Sequence, residues 1–189
     1  MARKTTITKD MILGSALTMV IRDGYQSVNV KTLAAEIGCS TQPIVWHFEN
    51  MEGFRTELYG YAREYAGRSI RQASDPAGIF EAMGRSYIRM AVREPNLFKL
   101  LYLGQTPVSK PYSLKDLTTG KQQKMMIRGI AEQTGLTEEQ AARCIKDTVI
   151  YSHGLATMVA TGVFKASEKS LMAMVLRASE GFVKIAGGE

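Results

Sequence analysis

Thr41, Gln42, Trp46 and His47 stand close together in a stretch that is otherwise apolar, and each carries a hydrogen-bonding or stacking group. A glutamine amide can pair with an adenine edge through two hydrogen bonds, and a hydroxyl or imidazole can meet a phosphate. An indole can meet a phosphate or pack on a sugar, and Thr41 and Pro43 can touch a thymine methyl group. His47 has a second reading, as a histidine at the edge of the core that caps the end of its helix. This chemistry is recognition rather than bond-making. Catalysis and metal binding have poorer candidates. His153 and Cys144 have no second histidine near them, and the chain has no Cys-x-x-Cys pair, nucleophile elbow or phosphate loop. Cys144, Thr148 and Tyr151 share one helical face, which is the pattern of a buried seam. The chain is therefore expected not to be an enzyme and to need neither cofactor nor metal.

The elements that hold these residues are two short helices and a glycine turn. The first helix is expected over 30–37 with Asn29 as its N-cap, and the second over 41–48 with Ser40 as its N-cap. Pro43 falls in the first turn of the second helix, where a missing N–H costs little. Gly38 allows the tight turn between them. Leu33, Ala34, Ile37, Ile44 and Phe48 supply an apolar bracket that fixes the angle between the two helices. This is the arrangement of a helix-turn-helix, whose second helix enters the major groove.

The rest of the chain reads as helix almost throughout, so the expected fold class is all-α. A helix over 9–22 comes first, and one starting after Asn50 buries Phe54, Leu58, Tyr61 and Tyr65. A helix over 76–93 has an apolar stripe of Phe80, Met83, Tyr87 and Ala91. Its other face is a basic row of Arg85, Arg89 and Arg93, read as a solvated face, with a site for an anionic ligand or a DNA flank as the other reading. A short helix over 96–103 precedes a long loop over 104–119. Further helices are expected over 121–133, 137–161 and 167–185, with Thr137 to Gln140 as a capping box. Ala141, Ile145, Thr148, Ser152, Leu155 and Val159 form one seam of the 137–161 helix. On the last helix Met172, Val175, Ser179 and Phe182 line one side, with Leu171, Met174 and Ala178 beside it. Apolar residues on more than one face of both helices point to a partner copy. Charges placed at Val175 and Phe182 are expected to produce monomers.

Composition narrows the field. The chain has 189 residues, 45% of them hydrophobic and 22% charged, which is ordinary globular usage. The net charge of +6 permits an acidic partner, but residues 1–48 hold only five basic against three acidic side chains, so no basic patch follows from the totals. Two cysteines do not make a disulfide scaffold. The uncharged run from Met11 to Ile21 is too short to span a bilayer, and no small-residue cleavage site follows it. A cytoplasmic protein that does not enter membranes is the expectation.

Gly24-Tyr25, Val30 to Ile37 and Gly38 to Phe48 resemble the N-terminal signature of the TetR (tetracycline-repressor) family. That family ends its recognition helix in an aromatic residue followed by His-Phe and a short link, and this chain has Trp46-His47-Phe48 running on to Phe54. Tyr151 to Ala156 is similar to a Trp/Tyr-x-His-Gly run found in one subset of the family. The resemblance implies a helix-turn-helix DNA-binding domain over 1–49 and a helical ligand-binding and dimerisation domain over 50–189. It implies a homodimer through the 137–161 and 167–185 helices, bound to a double-stranded, palindromic operator. It also implies repression relieved by a small-molecule effector. DNA contacts are expected from Asn29, Lys31, Ser40, Thr41, Gln42, Pro43, Val45, Trp46 and His47. A small, mostly apolar ligand is expected among Met83, Tyr87, Leu101, Tyr102, Met126 and Tyr151. Two positions depart from the family, which has tyrosine where this chain has Val45 and lysine where it has Met51. Both family residues usually touch phosphate, so the resemblance implies either weaker backbone contact here or compensation by Lys31, Thr32, Trp46 or flanking basic residues. The alternative left open is a helical ligand-binding or interaction protein without DNA binding.

Overall fold

Thr8, Asn29, Thr137 and Ser167 each stand one residue ahead of a helix and accept a hydrogen bond from its first turn. Such caps satisfy N–H groups that have no partner inside the helix, and so decide where helices begin. The expected capping box is present at Thr137, whose hydroxyl accepts from Gln140 N while Gln140 Oε1 accepts from Thr137 N.

The computed structural model describes residues 7–68, 76–106 and 113–188. Within them the chain is all-α, as the periodicity predicts, with no strand. The helices are α1 (Lys9–Asp23), α2 (Val30–Ile37), α3 (Gln42–His47), α4 (Met51–Gly67), α5 (Pro76–Arg93) and α6 (Pro95–Tyr102). They continue with α7 (Asp116–Thr119), α8 (Lys121–Thr134), α9 (Glu138–Ala160) and α10 (Glu168–Gly187). The expected loop over 104–119 thus contains a short helix, α7. The Asp116 carboxylate accepts from Ser113 N–H, and the Ser113 hydroxyl accepts from Asp116 N–H. That hydrogen bonding holds the Asp116 carboxyl below its usual range. Pro107 and Pro111, which suggested the loop, lie outside the described residues.

The helices fall into two compact units. One holds α1–α4 and α6, so it takes in α4 and α6 beyond residues 1–49. Its core is Ile12, Leu17, Val20, Leu33, Leu58 and Phe98 with their neighbours. Polar contacts fasten α6 to the rest of the unit, with Asn96 Nδ2 donating to Ile21 O at 3.2 Å and Tyr65 Oη to Glu94 Oε1 at 2.8 Å.

The second unit holds α5 and α7–α10. Ile127, Ala141 and Ile145 form a cluster against Phe80, Ile130 and Val149. Small and polar side chains enter this core, with Thr148 and Ser152 both buried on α9. The basic row of α5 is ion-paired rather than merely solvated. Arg85 pairs with Glu81, while Arg89 and Arg93 both reach Glu168 at 3.2 Å, tying α5 to the start of α10. One expectation needs correction here. Val175 is only 6% exposed, and Met172 is buried with it. Packing within the second unit takes these side chains inward, so they are not an outward seam. Among the described residues, no helix is long and apolar enough to cross a membrane.

Candidate nucleic-acid interface

Asn29 and Gly38 bound the first helix of the motif. Asn29 Oδ1 accepts from Lys31 N at 3.0 Å and Thr32 N at 3.1 Å, and Asn29 N donates to Thr32 Oγ1 at 3.1 Å. The Thr32 hydroxyl donates to Ser27 O at 2.7 Å. The Asn29 carbonyl is thus engaged in capping α2. At the other end Gly38 adopts φ 74°, ψ 37°, and Cys39 N donates to Ala34 O at 3.0 Å. A left-handed residue closing a helix favours glycine, because a Cβ there crowds the following carbonyl.

The second helix, α3, has no side-chain cap. Thr41 precedes it in right-handed helical geometry, and its carbonyl accepts from Val45 N at 3.1 Å. Ser40, expected as the cap, lies one residue further out, because Thr41 is already turning with the helix. Packing holds α3 instead. Leu33, Ala34, Ile44 and Phe48 are buried as expected, and Ile37 is half-buried. Phe48 meets Phe54 of α4 edge to face at 5.0 Å, and the Lys9 ammonium lies 5.1 Å from the Phe48 ring centre. Lys9 also pairs with Glu57 at 2.7 Å.

These contacts leave one face of α3 open. Thr41 and Gln42 are exposed, and so are two large apolar side chains, Val45 at 58% and Trp46 at 75%. Gln42, Val45 and Trp46 stand at i, i+3 and i+4, so they share a face. Lys31 and Ser40 are exposed and Pro43 is half-buried. His47 differs from its neighbours. It is half-buried, and its Nε2 lies 2.8 Å from Ile7 O, so Nε2–H donates to the backbone just ahead of α1. That bond joins residues 40 positions apart. Periodicity within a helix carries no sign of such a partner.

A second brace was also not legible. Arg22 Nη1 and Nη2 donate to Glu36 Oε1 and Oε2, each at 3.0 Å, and Arg22 Nε donates to Asp23 at 2.8 Å. This fork joins the end of α1 to α2. It holds the Glu36 carboxyl below its usual range and raises the affinity of the guanidinium for its proton. The acidic and basic residues were visible in sequence, but their pairing across 14 positions was not.

The six residues expected around a ligand divide between the units. Leu101 and Tyr102 lie on α6 in the first. Met83 and Tyr87 on α5, Met126 on α8 and Tyr151 on α9 lie in the second. Within the second unit, Tyr87 Oη lies 2.5 Å from His153 Nδ1, and His153 Nε2 lies 3.5 Å from Thr157 Oγ1. Burial lowers the His153 pKa from its ordinary value. In the neutral ring protonated at Nε2, Nδ1 accepts the Tyr87 proton and Nε2–H faces Thr157. Tyr151 meets Phe182 edge to face at 6.4 Å. A separate cleft of about 380 Å³ opens between α9 and α10, lined by Gln140, Arg143, Cys144 and Phe182 among others. None of the six expected ligand residues lines it. Burial pushes the Cys144 thiol up, and its Sγ–H donates to Phe182 O at 3.4 Å. Among the described residues, no cluster of histidine, cysteine and carboxylate side chains could hold a metal ion.

Fold and site together define an all-α chain with a helix-turn-helix in its first unit and a helical second unit. The chain is similar in structure to a crystallised Pseudomonas aeruginosa PAO1 protein assigned as a transcriptional regulator. The TM-score is 0.61 at 15% sequence identity, over 93% of this chain and 89% of that one. No protein-family model matches the chain, and no curated protein does.

Proposed function

We propose that this protein is a DNA-binding transcriptional regulator of the TetR type, acting as a homodimer on a palindromic operator. The observation that carries the reading is the open face of α3. Ile44 and Phe48 bury one side of the helix, while Gln42, Val45 and Trp46 stand outward with Thr41 ahead of them. A short helix braced from behind, with recognition groups on its free face, suits the major groove. Lys31 and Ser40, both exposed, are suited to phosphates, and Asn29 and Pro43 are proposed as further contacts. His47 supports the site by tying Ile7 to the end of α3.

Trp46 is the chain's one tryptophan, so its emission reports on this helix alone. Titration with random-sequence duplex at several salt concentrations should change that emission and show affinity falling steeply with salt. Unchanged emission with no salt-dependent binding would favour the alternative, a helical ligand-binding or interaction protein without DNA binding.

Dimerisation is proposed through α9 and α10, at a different surface from the seam expected in sequence. Ile150 at 53%, Gly154 and Met158 form an outward strip on α9, and Ala173 and Leu176, at 41%, form one on α10. Exposed apolar strips on adjacent helices are a basis for a self-complementary interface. Half-sites would then lie about one helical turn apart, roughly 34–36 Å. Ile150→Glu combined with Leu176→Glu should give a monomer in sedimentation, with helix content intact and operator binding lost. An unmodified protein that is monomeric at micromolar concentration and still binds its operator fully would overturn this arrangement.

Repression relieved by a small, mostly apolar effector completes the proposal. Within the second unit Met83, Tyr87, Met126 and Tyr151 supply apolar and aromatic surface, and the Tyr87–His153 pair supplies polar groups to orient a ligand. Such a ligand lowers DNA affinity only if it prefers the conformation that does not bind DNA.

A further inference from the structure

The free face of α3 has an unusual chemistry for a surface that meets nucleic acid. From Ser40 to Phe48 the only ionisable side chain is His47, and its Nε2 is held by Ile7 O. The outward residues are neutral, with Gln42 and Thr41 polar and Val45 and Trp46 apolar. Guanine is read best by arginine or lysine, which donate to its O6 and N7. No such donor stands on this helix. Gln42 can instead accept from adenine N6 and donate to adenine N7. Val45 has no hydrogen-bonding group at all, yet it lies 58% exposed in the middle of the face. The one apolar group that a base pair presents in the major groove is the thymine C5 methyl, which is a natural cover for an isolated valine.

We propose that α3 reads A·T pairs, with Gln42 on an adenine and Val45 packed on the C5 methyl of a thymine in each half-site. This rests on the proposed DNA-binding function and names the base chemistry that the same site selects. Val45 is then a specificity-determining residue through shape and apolar contact alone. Its substitution should relax the preference for thymine without removing attraction to the phosphate backbone.

The test uses the full-length protein. Duplexes retained from a random pool should contain inverted half-sites with an A·T core. Each thymine of the half-site is then replaced by deoxyuridine, which deletes the methyl group and keeps the hydrogen-bonding pattern. At one position the native protein should lose about fourfold in affinity per half-site, the worth of one buried methyl group. Val45→Ala, at an exposed position that leaves the core intact, should bind thymine and uracil duplexes equally. Half-sites built on G·C pairs, uracil tolerated at every position, or an equal loss in Val45→Ala would each overturn the inference while DNA binding stands. Retention of no duplex at any salt concentration would overturn the DNA-binding function and this inference with it.

Discussion

The two units bury different kinds of core. In the first, the fully buried large side chains are aliphatic or aromatic, with Ile12, Val20, Leu33, Leu58 and Phe98 among them. Thr106 is its buried polar residue. In the second, Thr148 and Ser152 lie inside with Cys144, and the Tyr87–His153 pair runs between α5 and α9. A core made mostly of aliphatic and aromatic side chains is close-packed and has few alternative arrangements. A core with buried hydroxyls and a half-buried imidazole at its edge has hydrogen bonds to exchange, and its energetics depend on proton state. The first unit is therefore suited to hold the proposed recognition surface fixed, and the second to respond to the proposed effector.

The largest test of this contrast is a pair of truncations. Leu58→Ala in the first core should destabilise by about 2–5 kcal/mol in denaturant unfolding, through lost burial and the cavity left behind. Ser152→Ala in the second core removes one hydroxyl and should cost about 1 kcal/mol or less. Equal losses would break the comparison.

Two glycines allow a matched experiment. Gly38 and Gly135 share φ 74°, and an added Cβ at either meets nothing within 4 Å. Alanine at each should cost about 1–2 kcal/mol, the penalty of a left-handed L-residue. Only Gly38→Ala should also weaken the proposed DNA binding, because only that turn sets the angle of α3. A matching loss with Gly135→Ala would place the second unit in control of the recognition helix.

A smaller effect separates the cores by pH. His153 is held below its ordinary pKa of 6.5 by burial, so the folded state favours the neutral ring. The stability this confers is present above about pH 6.5 and is lost as pH falls through the lowered value in the folded protein. Thermal unfolding of the native chain should therefore weaken between pH 7.5 and pH 5 more than that of His153→Asn. Parallel curves for the two proteins would remove the imidazole from the account.

The smallest expected change is in the first unit. The Tyr25 hydroxyl is buried with no hydrogen-bond partner among the described residues. An unmet polar group in an apolar core opposes folding. Tyr25→Phe should leave the melting temperature unchanged or raise stability by up to about 1 kcal/mol. A clear loss would mean that the hydroxyl has a partner, such as an ordered water.

Local order was set by the sequence alone wherever neighbours in the chain decide it. The N-cap Asn29, the capping box at Thr137, the glycine turn at Gly38 and the apolar bracket of Leu33, Ala34, Ile44 and Phe48 all follow from spacing over a few residues. Hydrogen bonds between near neighbours and helical periodicity act over that range. Tertiary structure decided the rest. It turned Val175 inward, left Ile150 and Leu176 outward, and gave Glu168 two arginines from α5. It also brought Ile7 to His47, and Tyr87 to His153 across 66 positions. An amphipathic helix with apolar residues on two sides has two ways to bury itself. Only the neighbours packed against it select one.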